Sequence, residues 1–243
     1  MNTTPPPLTR RLAAETLGSA LLVAVVVGSG IAAQQLSPDD TGLQLLENST
    51  ATVFGLAVLI LIFGPVSGAH FNPVVSLADW LLARRTRTGL TAPHLVAYCA
   101  AQILGAITGA VLANAMFDQT AVQISTQHRL TGGHLLGEIV ATAGLIAVIV
   151  ALARTGRAVV APVAVAAWIG AAYWFTSSTS FANPAVTIGR IFTDTFAGIA
   201  PASAPGFITA QVLGALLGLA AISVCYPASP AAAEVVPHPS TAA

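Results

Sequence analysis

The chain has 243 residues, of which 55% are hydrophobic and only 7% charged, with a mean hydropathy of +0.80. A soluble domain carries about 25% charged residues, so this composition excludes one and indicates a polytopic membrane protein, with room for roughly six spans of about 20 residues. Nine basic residues, all Arg, balance nine acidic ones, which leaves neither a basic surface for nucleic acid nor a bias toward acidic partners.

Residues 1–9 are polar and Pro-rich and read as a disordered tail. The run after Arg10 and Arg11 has the look of a signal peptide. It is long, carries Glu15 and lacks a clear cleavage site, so it reads as a retained span over about residues 11–33. A polar loop with Pro38, Asp39, Asp40 and Glu47 leads to span two, about 49–63. Gly64-Pro65-Val66-Ser67-Gly68 then feeds the stretch Ala69-His70-Phe71-Asn72-Pro73-Val74. Pro fits the first helical turn, where its missing N–H has no intrahelical partner, and Asn before it is a good N-cap. The spacing predicts a helix over 73–83, closed by Arg84, Arg85 and Arg87 and too short to span a bilayer.

Span three follows at about 92–115, then the longest connection, 116–133, with Asp118, His128 and Arg129. Span four is expected at about 134–153, a tight turn at Arg154-Thr155-Gly156-Arg157, and span five at about 158–177. Ser177-Ser178-Thr179-Ser180 forms a second re-entrant loop into Asn183-Pro184-Ala185 and a second half-helix over 184–192. Span six runs about 206–225, and the Pro/Ala-rich residues 226–243 read as another tail. Cys99 and Cys225 sit far apart in apolar segments and read as small buried hydrophobes.

The halves repeat. Glu15 in span one answers Glu138 in span four, Asn72-Pro73 answers Asn183-Pro184, and Gln102-Ile103-Leu104-Gly105-Ala106 answers Gln211-Val212-Leu213-Gly214-Ala215. Three spans per half force the second half to enter from the opposite side, so the fold class is an all-α membrane protein with an inverted 3+3 repeat. Arg10, Arg11, Arg84, Arg85, Arg87, Arg154 and Arg157 fall on one face and only Arg129 and Arg190 on the other. The positive-inside rule then puts both termini in the cytoplasm. Gly105, Gly109, Gly214 and Gly218 give spans three and six small faces for close helix approach within one subunit.

Irregular backbone at membrane depth persists only where protein buries it or it lines a water-filled path. Two half-helices meeting end to end bring two positive dipole ends together. Asn72 and Asn183 add N–H donors, and the loops add carbonyls. That combination suits small neutral hydroxylated solutes and opposes cations and protons. A secondary transporter also uses broken helices in inverted repeats, but coupling needs titratable groups in the path and only Glu15 and Glu138 offer themselves. A membrane enzyme is disfavoured: His70, His94, His128 and His134 show no metal-ligand spacing and no nucleophile sits beside a base.

The paired Asn-Pro motifs, the acids of spans one and four and the Gln-x-Leu-Gly pairs resemble the aquaporin, or major intrinsic protein, family over about residues 10–225. The resemblance implies one channel domain of six transmembrane helices plus two half-helices, with repeats at about 10–115 and 134–225. It further implies a homotetramer with a pore in each subunit, resident in the lipid bilayer of a bacterial inner membrane. That pore would pass water, glycerol or related neutral solutes without cofactor, metal or catalysis. Glu15 and Glu138 match the buried acids that hold the re-entrant loops, and His70 matches a pore-side histidine.

Departures from the family pattern set the subclass. Val74 replaces the Ala of the first motif, and Val186 stands where the resemblance implies an Arg at the outer constriction. Arg190, one helical pitch further on, is not expected to replace it. Spacing from the second motif carries over Ser180 and Ala171, and the run Phe54-Gly55-Leu56, similar to one in the family, favours Phe54 with Thr52 next; with Val186 the resemblance implies an uncharged filter, wider than a water-selective one. Glycerol fits such a filter, as does a metalloid hydroxide; bacterial members with Val after the second motif are linked to arsenic resistance. A water-selective channel is the alternative.

Overall fold

A computed structural model describes residues 6–86 and 89–226. Arg87, residues 1–5 of the first expected tail and 227–243 of the second lie outside the described residues. The described chain folds as α1 (Leu8–Leu36), α2 (Thr41–Ser67), α3 (Pro73–Thr86), α4 (Ala92–Met116), α5 (Gly132–Arg154), α6 (Ala161–Phe175), α7 (Pro184–Gly189) and α8 (Ala204–Cys225). Short 3₁₀ turns at Ala158–Val160 and Arg190–Phe192 precede α6 and follow α7. Five of these helices, and α6 together with the 3₁₀ turn before it (Ala158–Phe175), are long and apolar enough to cross a membrane; α3 and α7 are the half-helices.

The starts follow ordinary capping chemistry. Thr91 and Thr131 cap α4 and α5 by accepting from the N–H groups of His94 (3.4 Å) and His134 (3.1 Å). Asp40 caps α2 by accepting from Leu43 N at 2.9 Å. This cap starts α2 eight residues before the expected span, so the predicted polar loop shrinks to Ser37–Asp40. Gln44 Nε2 donates to the Ser37 carbonyl (2.8 Å) and Ser37 Oγ to Glu47 (2.9 Å), which holds the added turns. The other end of α2 runs through Pro65 to Ser67 and closes on Gly68, whose φ of 92° only glycine adopts without strain.

The two repeats pack alike. Without water between apolar helices, close backbone approach supplies the contact energy in a bilayer. A Cβ at Gly105 or Gly109 would stand 2.2 Å or 2.1 Å from the carbonyls of Thr16 and Ala20 on α1. A Cβ at Gly214 or Gly218 would stand 2.5 Å or 2.4 Å from those of Ile139 and Ala143 on α5. The small faces of spans three and six thus seat α4 on α1 and α8 on α5 in equivalent register. The main core surrounds the point where α3 and α7 meet and includes Val23, Val27, Val74, Ala106, Ala141, Leu145 and Ala185. Neither cysteine is deeply buried: Cys99 is half-buried and Cys225 exposed, because the flank of each helix that carries it is not covered by protein.

The 117–131 connection is bonded to the segment behind α7 at several points. Ser125 N donates to the Ile191 carbonyl and Ala200 N to the Gln127 carbonyl, both at 2.8 Å. Asn114 links the two layers, donating to the carbonyls of Ala121 (3.0 Å) and Phe192 (2.9 Å) and accepting from Thr193 Oγ1 (2.9 Å).

Candidate functional site

The two re-entrant loops share one conformation, residue for residue. Gly68, Ala69 and Phe71 have φ of 92°, 50° and 49°; Thr179, Ser180 and Ala182 have 59°, 50° and 47°. Left-handed backbone costs a non-Gly residue roughly 1 kcal/mol or more, and it persists only where the surroundings over-determine it. Here two buried carboxylates do so. Glu15 accepts from His70 N (3.0 Å), Phe71 N (2.8 Å), Ser67 Oγ (2.6 Å) and Gln102 Nε2 (2.8 Å). Glu138 accepts from Phe181 N (2.9 Å), Ala182 N (2.8 Å) and Gln211 Nε2 (2.6 Å). Each glutamine also donates to the first turn of its half-helix, Gln102 to Ser76 Oγ and Gln211 to Thr187 Oγ1, both at 2.9 Å.

The asparagines tie the halves together. Asn72 Oδ1 accepts from Val74 N (3.1 Å), and Asn183 Oδ1 from Ala185 N (2.9 Å) and Val186 N (3.2 Å), so each caps its own half-helix. Asn72 Nδ2 donates to the Ala182 carbonyl and Asn183 Nδ2 to the Phe71 carbonyl, both at 2.8 Å. Pro73, Val74, Pro184 and Ala185 form the first turns that these bonds join end to end, with Val74 and Ala185 fully buried.

Beside this junction lies a cavity with about 100 Å³ of space that water can occupy. Its wall includes both asparagines, His70, Ser180, Val186 and, from spans two and five, Thr52 and Tyr173. Apolar residues such as Leu22, Val26, Leu56 and Ile149 complete it. Thr52 Oγ1 and the Tyr173 hydroxyl lie within hydrogen-bond distance, 3.3 Å. His70 Nδ1 lies 2.9 Å from Ser76 Oγ and its ring packs on Tyr98 at 5.4 Å.

Two of the four filter residues expected from spacing are not in this wall. Phe54 is 69% exposed and Ala171 is exposed as well; both face an exterior groove with Trp174. The reason is helical periodicity. Residues two apart on a helix are rotated by about 200°, so if Thr52 and Tyr173 face inward, Phe54 and Ala171 must face out. The span-two alternative, Thr52, is the residue on the cavity side, and Tyr173 is its partner. A polar residue in an apolar span was the available signal for Thr52, since such a group needs a partner in the protein.

Arg190, one helical pitch beyond Val186 and not expected to replace the missing arginine, is 2% exposed and borders the cavity. Residues i and i+4 share a helix face, so the turn that aims Val186 at the cavity aims Arg190 there too, and the long side chain covers the difference in depth. Its Cζ sits 3.5 Å from the centre of the Phe181 ring, and its Nε donates to the Ala197 carbonyl. Arg129, from the 117–131 connection, approaches the same ring at 5.5 Å and donates to the carbonyls of Gly198 and Phe196, both at 2.7 Å. Burial draws its guanidinium below the usual arginine range.

Inverted repeats, broken helices joined at their N-termini and an amphipathic cavity beside the junction define a membrane channel rather than an enzyme. The family model for major intrinsic protein matches residues 2–180, and the chain belongs to that family. It is 49% identical to the aquaglyceroporin AqpS of Rhizobium meliloti, over 95% of this chain and 97% of that one. It is 30% identical to the glycerol uptake facilitator protein of Pseudomonas aeruginosa, with 96% of each covered. The X-ray structure of the aquaglyceroporin from Plasmodium falciparum superposes with a TM-score of 0.58 over 88% of this chain and 93% of that one; at 21% identity it speaks to fold alone.

Proposed function

We propose that the chain is a passive pore for glycerol and similarly sized neutral polyols, with water, and that uncharged arsenous acid passes by the same route. The cavity wall carries this reading. It offers hydroxyl and amide groups from Thr52, Tyr173, Asn72 and Asn183, with His70 and Arg190 beside them; most of the rest is apolar, from residues such as Leu22, Val26, Leu56, Phe71 and Ile149. A polyol has the same two-sided character, hydroxyls along one edge and C–H along the other, so one wall can satisfy both. Arsenous acid presents three hydroxyls without charge and meets the same groups. Val186, with no polar group, leaves the second half-helix less obstructed than an arginine there would. His70 lines the path, Glu15 and Glu138 hold its loops, and the channel domain occupies about residues 10–225.

The chain is a homotetramer in a bacterial cell membrane with both termini in the cytoplasm. The arginine asymmetry supports the orientation. The apolar exterior groove with Phe54, Ala171 and Trp174 is a surface that a neighbouring subunit would cover.

Stopped-flow light scattering on proteoliposomes, with water, glycerol and arsenous acid as permeants, tests the reading. High solute permeability with modest water flux is expected. Fast water flux with both solutes excluded would instead make it a water-selective channel.

A further inference from the structure

We propose that Arg190 is a specificity-determining residue of the permeation path, its guanidinium excluding cations and donating to the hydroxyls of passing solutes; the inference rests on the cavity being that path. An arginine in the middle of a bilayer protein is expensive unless its charge is hydrated or paired. Arg190 is 2% exposed and pairs with no carboxylate among the described residues. Its one hydrogen bond to protein is from Nε to the Ala197 carbonyl. The terminal nitrogens, Nη1 and Nη2, bond to no described residue, and neither belongs to the fully enclosed polar atoms that lack a partner. They therefore face the cavity that the side chain borders.

The guanidinium is also held. The Phe181 ring lies 3.5 Å from Cζ and the Ala197 carbonyl anchors Nε, so the two terminal nitrogens are presented in a fixed plane. Arg190 can only donate, so a passing solute meets it through an oxygen that accepts, as the hydroxyl of a neutral polyol does. A cation meets a fixed positive charge in a low-dielectric wall, where repulsion is strong.

The test uses full-length chain in proteoliposomes, in a background with Cys99→Ser and Cys225→Ser so that no native thiol reacts. Glycerol and water permeability are read by light scattering, proton entry by an internal pH dye. Arg190→Cys is expected to raise proton entry at least tenfold and to change the glycerol-to-water permeability ratio at least threefold. Treatment with 2-aminoethyl methanethiosulfonate, which installs an ammonium group, is expected to restore proton exclusion; the neutral methyl reagent is not. Arg190→Lys is expected to keep proton exclusion while shifting the solute ratio. Unchanged proton entry and solute ratio in Arg190→Cys, or equal effects of the two reagents, would overturn the proposal while leaving the channel reading intact. Should the cysteine variant not insert, Arg190→Lys decides alone: a solute ratio equal to wild type overturns the assignment. Absence of protein-dependent flux in the unmodified chain would instead overturn the channel reading, and this inference with it.

Discussion

Asn183 donates through Nδ2 to the carbonyl of Phe71 at 2.8 Å, and Asn72 returns the same bond to Ala182. Each asparagine therefore caps its own half-helix with Oδ1 and fastens the opposite loop with Nδ2. Aspartate keeps the cap but removes the donor and sets a carboxylate against a carbonyl. Asn183→Asp is expected to destabilise by about 2–4 kcal/mol, since a buried acceptor is left unmatched beside a new charge. Thermal unfolding in detergent should show a lowered Tm; a Tm equal to wild type would mean the cross-bond contributes nothing.

Glu15 and Glu138 serve equivalent loops through equivalent atoms. Glutamine in either place turns one acceptor oxygen into an NH₂ that faces backbone N–H donors. Each single change is expected to cost about 2–3 kcal/mol. Each acid anchors its own loop, yet the loops are joined through the asparagines, so the double variant should depart from the sum of the singles by about 0.5 kcal/mol or more. Strict additivity in denaturation experiments would show that the two loops hold their shapes independently.

Much of this arrangement is legible in the chain itself. The half-helices announce themselves because Asn-Pro is a strong start signal and because it occurs twice in register. The Gln-x-Leu-Gly pairs mark α4 and α8 because glycine there is enforced by carbonyls 2.2 Å and 2.5 Å from any Cβ. The cavity wall is harder to read. Which face of α2 and α6 turns inward depends on contact between Thr52 and Tyr173, 121 residues apart in sequence. An error of two positions carried the expectation to Phe54 and Ala171 on the opposite face. Arg190 borders the same cavity although it sits one helical pitch beyond Val186, because an arginine side chain is long enough to cover that distance.

Tyr173→Phe removes a cavity hydroxyl that Thr52 shares, and Thr52→Val removes its partner. Either is expected to lower glycerol permeability several-fold relative to water, because a solute hydroxyl loses a partner worth about 1 kcal/mol. Phe54→Ala and Ala171→Ser, on the exterior groove, should leave the ratio unchanged. A glycerol-to-water ratio that responds to Phe54 and not to Tyr173 would restore the filter expected from spacing.

Packing inside each repeat makes an independent prediction. Gly105→Ala places a methyl group 2.2 Å from the Thr16 carbonyl, and backbone cannot withdraw as a flexible side chain would. The helices must separate, at a cost of about 1–3 kcal/mol. Gly64, with nothing near its Cβ position, should accept alanine with no loss of Tm, since alanine favours a helix over glycine. Similar losses at both glycines would mean that close approach of α1 and α4 is not what the Gly105 position serves.

Val186 and Arg190 present the sharpest choice. They lie four residues apart and face one cavity, so a charge added at 186 joins one already on that wall. Val186→Arg is expected to narrow the path and to lower glycerol and arsenous acid permeability more than water permeability. It also sets two like charges at helical neighbours, which is destabilising by a few tenths of a kcal/mol even when exposed and by more where water is scarce. The exchange Val186→Arg with Arg190→Val removes that repulsion and moves the single cation one turn. It should therefore be more stable than Val186→Arg alone and keep proton exclusion, while retaining the narrowed solute range. A stability gain without proton exclusion would show that the charge works only from position 190; proton exclusion without a stability gain would show that the two arginines do not feel each other across the cavity.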